Sequence, residues 1–203
     1  MKERPILFSG SMVRAILSGV KFQTRRVVKP QPEWVEPETV WQQADGHSGP
    51  GWYAHNEDYP EEGSLFYRCP YGQPSDRLWV RENFCDVASE GSPRRLQEVM
   101  YRADGDTSRD VVPRWSPSIY MPRWASRINL EIIDVGVEHL QDISEEDAIA
   151  EGVTWFSSGA TECPGMPETP VDAYRSLWEK INGPGSWEKN PWVWCISFKR
   201  TEP

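Results

Sequence analysis

Apolar positions along this chain recur with two periods, and the switches between them mark its elements. Residues 9–18 (SGSMVRAILS) set Met12/Ile16 and Val13/Leu17 at i,i+4 spacing, which predicts a short helix capped by Ser9 or Ser11. Gly19 supplies a left-handed stop, and the β-prone stretch 24–28 follows, so a helix turns into a strand around Lys21. Residues 30–63 show no sustained period and are rich in Pro, Gly, Trp and acidic residues. Trp34, Trp41, Trp52 and Tyr53 make that excursion a packed flap rather than a linker. YGQPSD (71–76) reads as a turn, LWVRE (78–82) as a strand and EVMYRA (98–103) as a weaker strand, before a Pro- and Trp-marked loop at 113–126. The clearest strand is 128–140, dominated by β-branched residues.

Ser144 with Asp147 three residues on predicts a capped helix that Gly152 ends. After a loop at 156–169, Thr169 with Asp172 caps a further helix. Tyr174, Leu177, Trp178 and Ile181 line one face of it, and Asn182-Gly183 end it. An apolar strand at 192–199 closes the chain. Helix, four strands, two helices and a strand, with no repeat or composition break, predict a single α+β domain over 1–203. The expected architecture is a small mixed β-barrel with helices packed at one end and long loop insertions.

Composition narrows the partners. The formal net charge of −9 disfavours long duplexes held by phosphate neutralisation, but leaves room for a small ligand or a basic cleft in an acidic body. Eleven Trp serve a core and base stacking equally well. No apolar run reaches the roughly 20 residues that span a bilayer, and the charged start MKERP is no signal peptide, so a cytoplasmic protein without membrane contact is expected. Cys69, Cys85, Cys163 and Cys195 are scattered without a CxxC pair. Free thiols are the preferred reading over a zinc site made from Cys69, Cys85, Cys163 and a histidine, so neither metal nor cofactor is expected.

Three places gather polar side chains. In GVKFQTRR (19–26), Lys21 and Thr24 lie at the helix-to-strand turn beside Arg25 and Arg26. A solvated basic turn is one reading. The other is a Thr nucleophile whose proton passes to a Lys of depressed pKa, with the arginines supplying a cationic field or holding a phosphate. Glu151, the last residue before Gly152, puts a carboxylate at a helix C-terminus, where the dipole disfavours its charge and suits it to donate a proton. RLWVREN (77–83) and MPRWASR (121–127) bring Trp79, Arg81, Arg123 and Trp124 together. They suit stacking on a base and pairing with a phosphate; alternatively the tryptophans are core and the arginines snorkel at its rim.

At these residues the chain resembles ASCH-domain proteins, a PUA-like family, in particular a group encoded by tailed phages and prophages. The resembling stretches are PILFSGSMVRAILSGVKFQTRRVVKPQP, PYGQPSDRLWVREN, MPRWASRINLEI, LQDISEEDAIAEGV and INGPGSWEKNPWVWCISFKR. A more distant likeness is to small bacterial ASCH enzymes that hydrolyse N4-acetylcytidine. Gly19, Lys21, Thr24 and Arg26 match their G-x-K-x-x-T-x-R turn; Ile143, Ser144, Ala148 and Glu151 match L-T-x-x-x-A-x-x-E with conservative changes at the first two positions. The resemblance implies a PUA-like barrel and an amidohydrolase in which Lys21 accepts a proton, Thr24 attacks and Glu151 donates a proton. Arg25, Arg26, Trp79, Arg81, Arg123 and Trp124 would bind the substrate. This chain departs from the small enzymes by insertions at about 30–70, 84–122 and 154–170, and by Ser75 where a Gly before Asp76 is usual. The implied partner is a nucleoside or single-stranded RNA. The alternatives are a nucleoside- or RNA-binding module without catalysis, and a phage ribonuclease or factor that binds a host protein through the Trp-rich excursion.

Overall fold

The computed structural model describes residues 1–32, 39–46, 49–56, 65–86, 99–105, 114–154 and 169–202. Their architecture is α+β, with more sheet than helix. The central sheet has the order β1-β6-β9-β10-β2, formed by β1 (Glu3–Leu7), β6 (Arg77–Arg81), β9 (Asn129–His139), β10 (Trp192–Thr201) and β2 (Gln23–Val27). β1 and β6 run parallel, whereas β6–β9, β9–β10 and β10–β2 are antiparallel. Among the described residues β1 and β2 are the open edges of this sheet, so the closure expected of a barrel is not part of the pairing.

β10 explains the apolar run at the end of the chain. Its alternate residues Trp194, Ile196 and Phe198 enter one apolar cluster with Ile6, Val13, Leu78, Leu130 and Ile132. Val193 and Cys195, pointing the other way, meet a second cluster around Leu140, Ala148, Tyr174, Trp178 and Trp187. A strand covered on both faces loses the polar alternation of a half-exposed one. The helices follow the same logic. α1 (Gly10–Leu17) buries Val13 and Ile16, the i,i+3 members of its apolar stripe. α2 (Glu145–Ala150) and α3 (Pro170–Asn182) begin at the expected caps, with the backbone N–H of Asp147 donating to Ser144 and that of Asp172 donating to Thr169.

β1 is the strand the periodicity conceals. It opens Glu3-Arg4-Pro5, a charged start at the sheet edge, and its partner lies more than seventy residues further along. The excursion at 30–63 also carries regular structure. β3 (Thr39–Gly46), β4 (Gly49–Asn56) and β5 (Leu65–Tyr67) form an antiparallel three-stranded sheet. Trp41 seats it on the main body, its ring 5.5 Å from Trp192 and 6.3 Å from Trp194 of β10, and 5.1 Å from Tyr67 within its own sheet. Trp34 and Cys163 lie outside the described residues. The weak strand at 98–103 is shorter than expected. β8 (Val99–Tyr101) pairs with β7 (Phe84–Asp86) and gives way to a turn of 3-10 helix at Arg102–Asp104. No helix among the described residues is long and apolar enough to cross a membrane.

Candidate active site

The turn that carries Lys21 is shaped by backbone bonds at the end of α1. The N–H groups of Val20 and Lys21 both donate to the carbonyl of Ala15, at 2.9 and 3.0 Å, after Gly19 takes φ +77°. The next N–H, of Phe22, donates to Ala150 in the last turn of α2 at 3.0 Å. Lys21 is thereby drawn under the C-terminus of α2. Gly152, at φ +80°, permits the approach: a Cβ there would lie 2.9 Å from the Cβ atoms of both Ala15 and Lys21. Any side chain at Gly152 would push the lysine out of place.

Lys21 and Glu151 are each 2% exposed, and Lys21 Nζ donates to Glu151 Oε2 at 2.6 Å. The same ammonium donates to the carbonyls of Glu151 and Gln23, both at 2.8 Å. Its positive charge therefore answers both the carboxylate and the negative end of the helix, which removes the dipole conflict noted in the sequence. The second carboxylate oxygen, Oε1, accepts from the backbone N–H of Arg25 at 2.6 Å. Burial pulls the Lys21 amine below its ordinary range; the charge and hydrogen bond of Glu151 oppose this, and Arg26 and Arg25 add to it.

Thr24, also 2% exposed, sits on β2 opposite Ile196. It lines a cavity of about 60 Å³ with Glu151, Arg25, Arg26, Tyr174 and Trp178. Burial holds the Tyr174 phenol well above its usual range, with the Glu151 charge adding to the effect. Through Met12, Arg26 and Ile181 this small cavity shares its wall with a second cavity of about 520 Å³. Glu151, at the end of α2, thus links the other two: it holds Lys21 from the turn after α1 and lines one cavity with Thr24 from β2.

The arginines divide. Arg25 is buried, with its guanidinium engaged by Glu138 at 2.6 Å, Gln23 at 2.6 Å and Asp147 at 2.9 Å, so it ties β2 to β9 and α2. Arg26 donates to the Leu7 carbonyl at 2.7 Å, lies 5.3 Å over the Phe8 ring and faces both cavities. Trp79, Arg81 and Arg123 gather elsewhere, and neither they nor Trp124 line the two cavities. Trp79 is buried beneath Arg81, whose guanidinium lies 4.6 Å from its ring, and Arg123, at 5.9 Å. Arg123 is also paired with Glu3 and Asn129. Trp124 is 50% exposed, which corrects the reading of it as core: it rides on a one-turn 3-10 segment at the surface.

Sequence reasoning missed Glu82, Arg14 and Arg102 in the wall of the larger cavity. Glu82 is 2% exposed and is gripped by Arg127, whose Nε and Nη2 donate to its two oxygens at 2.9 and 3.1 Å. Burial raises its carboxyl pKa against the pull of Arg127. A Glu inside RLWVREN was the available signal, since charge in an apolar strand demands a partner. Cys69, Cys85 and Cys195 are free thiols, and no His, Cys, Asp and Glu cluster among the described residues could hold a metal. Comparison with known family models, curated proteins and solved structures returns no match to this chain.

Proposed function

We propose that this protein is a metal-independent amidohydrolase that removes an acyl group from N4-acylated cytidine or a related modified nucleoside, working in a PUA-like barrel of the ASCH type. The observation that carries the reading is the buried 2.6 Å contact between Lys21 and Glu151 at the wall of the cavity that Thr24 lines. Moving one proton from Nζ to the carboxylate gives an amine and a carboxylic acid without changing the charge of the site. The resting pair is ionic; burial weakens the hold of Lys21 on its proton and so lowers the cost of that transfer when the reaction calls for it.

The Lys21 amine then accepts the hydroxyl proton as Thr24 Oγ1 attacks the acyl carbonyl. Arg26 stabilises the oxyanion. The Glu151 carboxylic acid protonates N4 as the C–N bond breaks, and cytidine leaves. In the second half, the Glu151 carboxylate takes a proton from the attacking water. Lys21 returns its proton to Oγ1 as the ester opens, which regenerates both groups.

A second reading, a nucleoside- or RNA-binding module without catalysis, draws on the same lysine: its three N–H donors are all placed on protein acceptors, as in a purely structural tie. Incubation with N4-acetylcytidine and chromatographic assay for cytidine separates the two. Turnover is expected in the wild type and in Thr24→Ser, with a loss of about 100-fold or more in Thr24→Ala, Lys21→Ala and Glu151→Gln that remain folded. Absence of turnover in the wild type ends the claim for that substrate, and nucleoside binding that does not need Lys21 favours the second reading.

A further inference from the structure

The cavity of about 520 Å³ has the size of a small-ligand site, yet the catalytic reading uses only its shared wall with the smaller cavity. Its lining brings together Arg14, Arg26 and Arg102 from α1, β2 and the 3-10 turn after β8. Arg14 Nη1 donates to the carbonyl of Ala103 at 3.1 Å and Arg26 Nη2 to that of Leu7 at 2.7 Å. These bonds orient the guanidinium groups and leave their charge in place. Among the described residues none of the three has an acidic partner. Glu82 is the acid in the wall, and Arg127 already answers it from behind. In a chain of net charge −9, three uncompensated guanidinium groups around one cavity are a local inversion of sign.

Neutral donors accompany them. The side-chain oxygen of Asn83 accepts from the N–H of Ser118 at 3.0 Å, which orients the amide in the cavity wall. The first turn of α1 is there too: the Ser9 hydroxyl meets Ser11 Oγ at 3.1 Å and makes no cap bond, so the helix end adds the same sign of charge.

We propose that this cavity is a phosphate subsite, so that the ligand of the adjoining nucleoside site is phosphorylated: a nucleotide or a nucleotide unit of RNA rather than a free nucleoside. This rests on the nucleoside reading of the Thr24 cavity. Guanidinium forks match the oxygens of a phosphate group, monoester or diester, and three of them lining one cavity from separate elements select it over an uncharged ribose. Arg26, facing both cavities, would stand between base and phosphate.

Calorimetric titration of cytidine, 5′-CMP, 3′-CMP and a short cytidine-containing RNA into the intact protein at low salt tests this. At least one phosphorylated ligand should bind about tenfold or more tighter than cytidine, the effect of one charge-assisted bond or better. That preference should shrink as salt rises. The exposed pair Arg14→Ala/Arg102→Ala should bring the ratio near unity, while Lys199→Ala, which removes a charge on the exposed end of β10, should keep it. Tighter binding of a monophosphate than of the oligonucleotide identifies a free nucleotide as the source; the reverse order identifies RNA. Equal binding of all ligands, no binding of any phosphorylated one, or a preference that survives the double substitution overturns the proposal. The two readings fail separately: turnover of N4-acetylcytidine without phosphate preference removes the subsite alone, and phosphate preference without turnover removes the hydrolase alone.

Discussion

Glu151→Gln is the substitution whose consequence the geometry specifies most fully. The carboxylate accepts from donors on both sides, Lys21 Nζ on Oε2 and the Arg25 N–H on Oε1. An amide has one accepting end, so its NH2 must face either the ammonium or the Arg25 N–H. Lys21, 2% exposed, also loses its counter-charge. Breaking a buried pair from one side costs about 3–5 kcal/mol. An upper bound follows independently: the lysine can escape by giving up its proton, and neutralising an amine of ordinary pKa 10.5 at pH 7 costs about 5 kcal/mol at ~1.4 kcal/mol per pH unit. The two figures agree.

Urea unfolding of wild type and variant at several pH values measures the loss. The sign of its pH dependence is set by which state holds the proton. With Lys21 neutral in the folded variant and protonated in the unfolded chain, the unfolded state binds more protons below pH 10.5, so the variant gains stability on wild type as pH rises from 7 to 10. Lys21→Met combined with Glu151→Gln should recover about 1–3 kcal/mol relative to the sum of the single losses, because no charge is left stranded. A loss below about 1 kcal/mol in Glu151→Gln, or strict additivity in the double variant, would refute the assignment of a buried, mutually compensated pair.

Three further outcomes are expected. Ser75 holds φ +73° without being glycine, so Ser75→Gly should stabilise the fold by about 0.5–1 kcal/mol, read as a rise of a few degrees in thermal midpoint; an unchanged or lowered midpoint contradicts the strain. Arg127→Met strands Glu82 and should cost about 3 kcal/mol at pH 7. Burial then lifts the Glu82 pKa further above its ordinary 4.5, so the folded variant holds a proton that the unfolded chain has lost. Its deficit should grow as pH rises above about 4.5 and be smallest near pH 4, and a constant deficit in urea titrations across that range would count against it. Trp41→Ala removes the contact of the three-stranded sheet with Trp192 and Trp194 of β10, together with the packing of Trp41 on Tyr67 within that sheet, and should cost about 2–3 kcal/mol by urea unfolding. A cost near zero would mean that the flap is seated by other contacts.

Local chemistry determined a large share of this molecule in advance. The caps at Ser144 and Thr169, the stripe of α1, the stop at Gly19 and the β-branched run of β9 each depend on residues within one or two turns, so their signals survive in a linear reading. The contact of Lys21 with Glu151 was legible only through a resemblance, since nothing in composition or period joins a turn at 21 to a helix end 130 residues later. Tertiary structure decided the rest. β1 and the β3–β5 sheet are strands because of partners and apolar neighbours that other segments supply. Tertiary contact also sorted the arginines, which look alike in sequence: Arg25 became a buried tie, Arg81 and Arg123 a cover for Trp79, and Arg14, Arg26 and Arg102 the wall of a cavity. A guanidinium takes its role from whatever carboxylate, ring or open space faces it, and only the folded chain determines that.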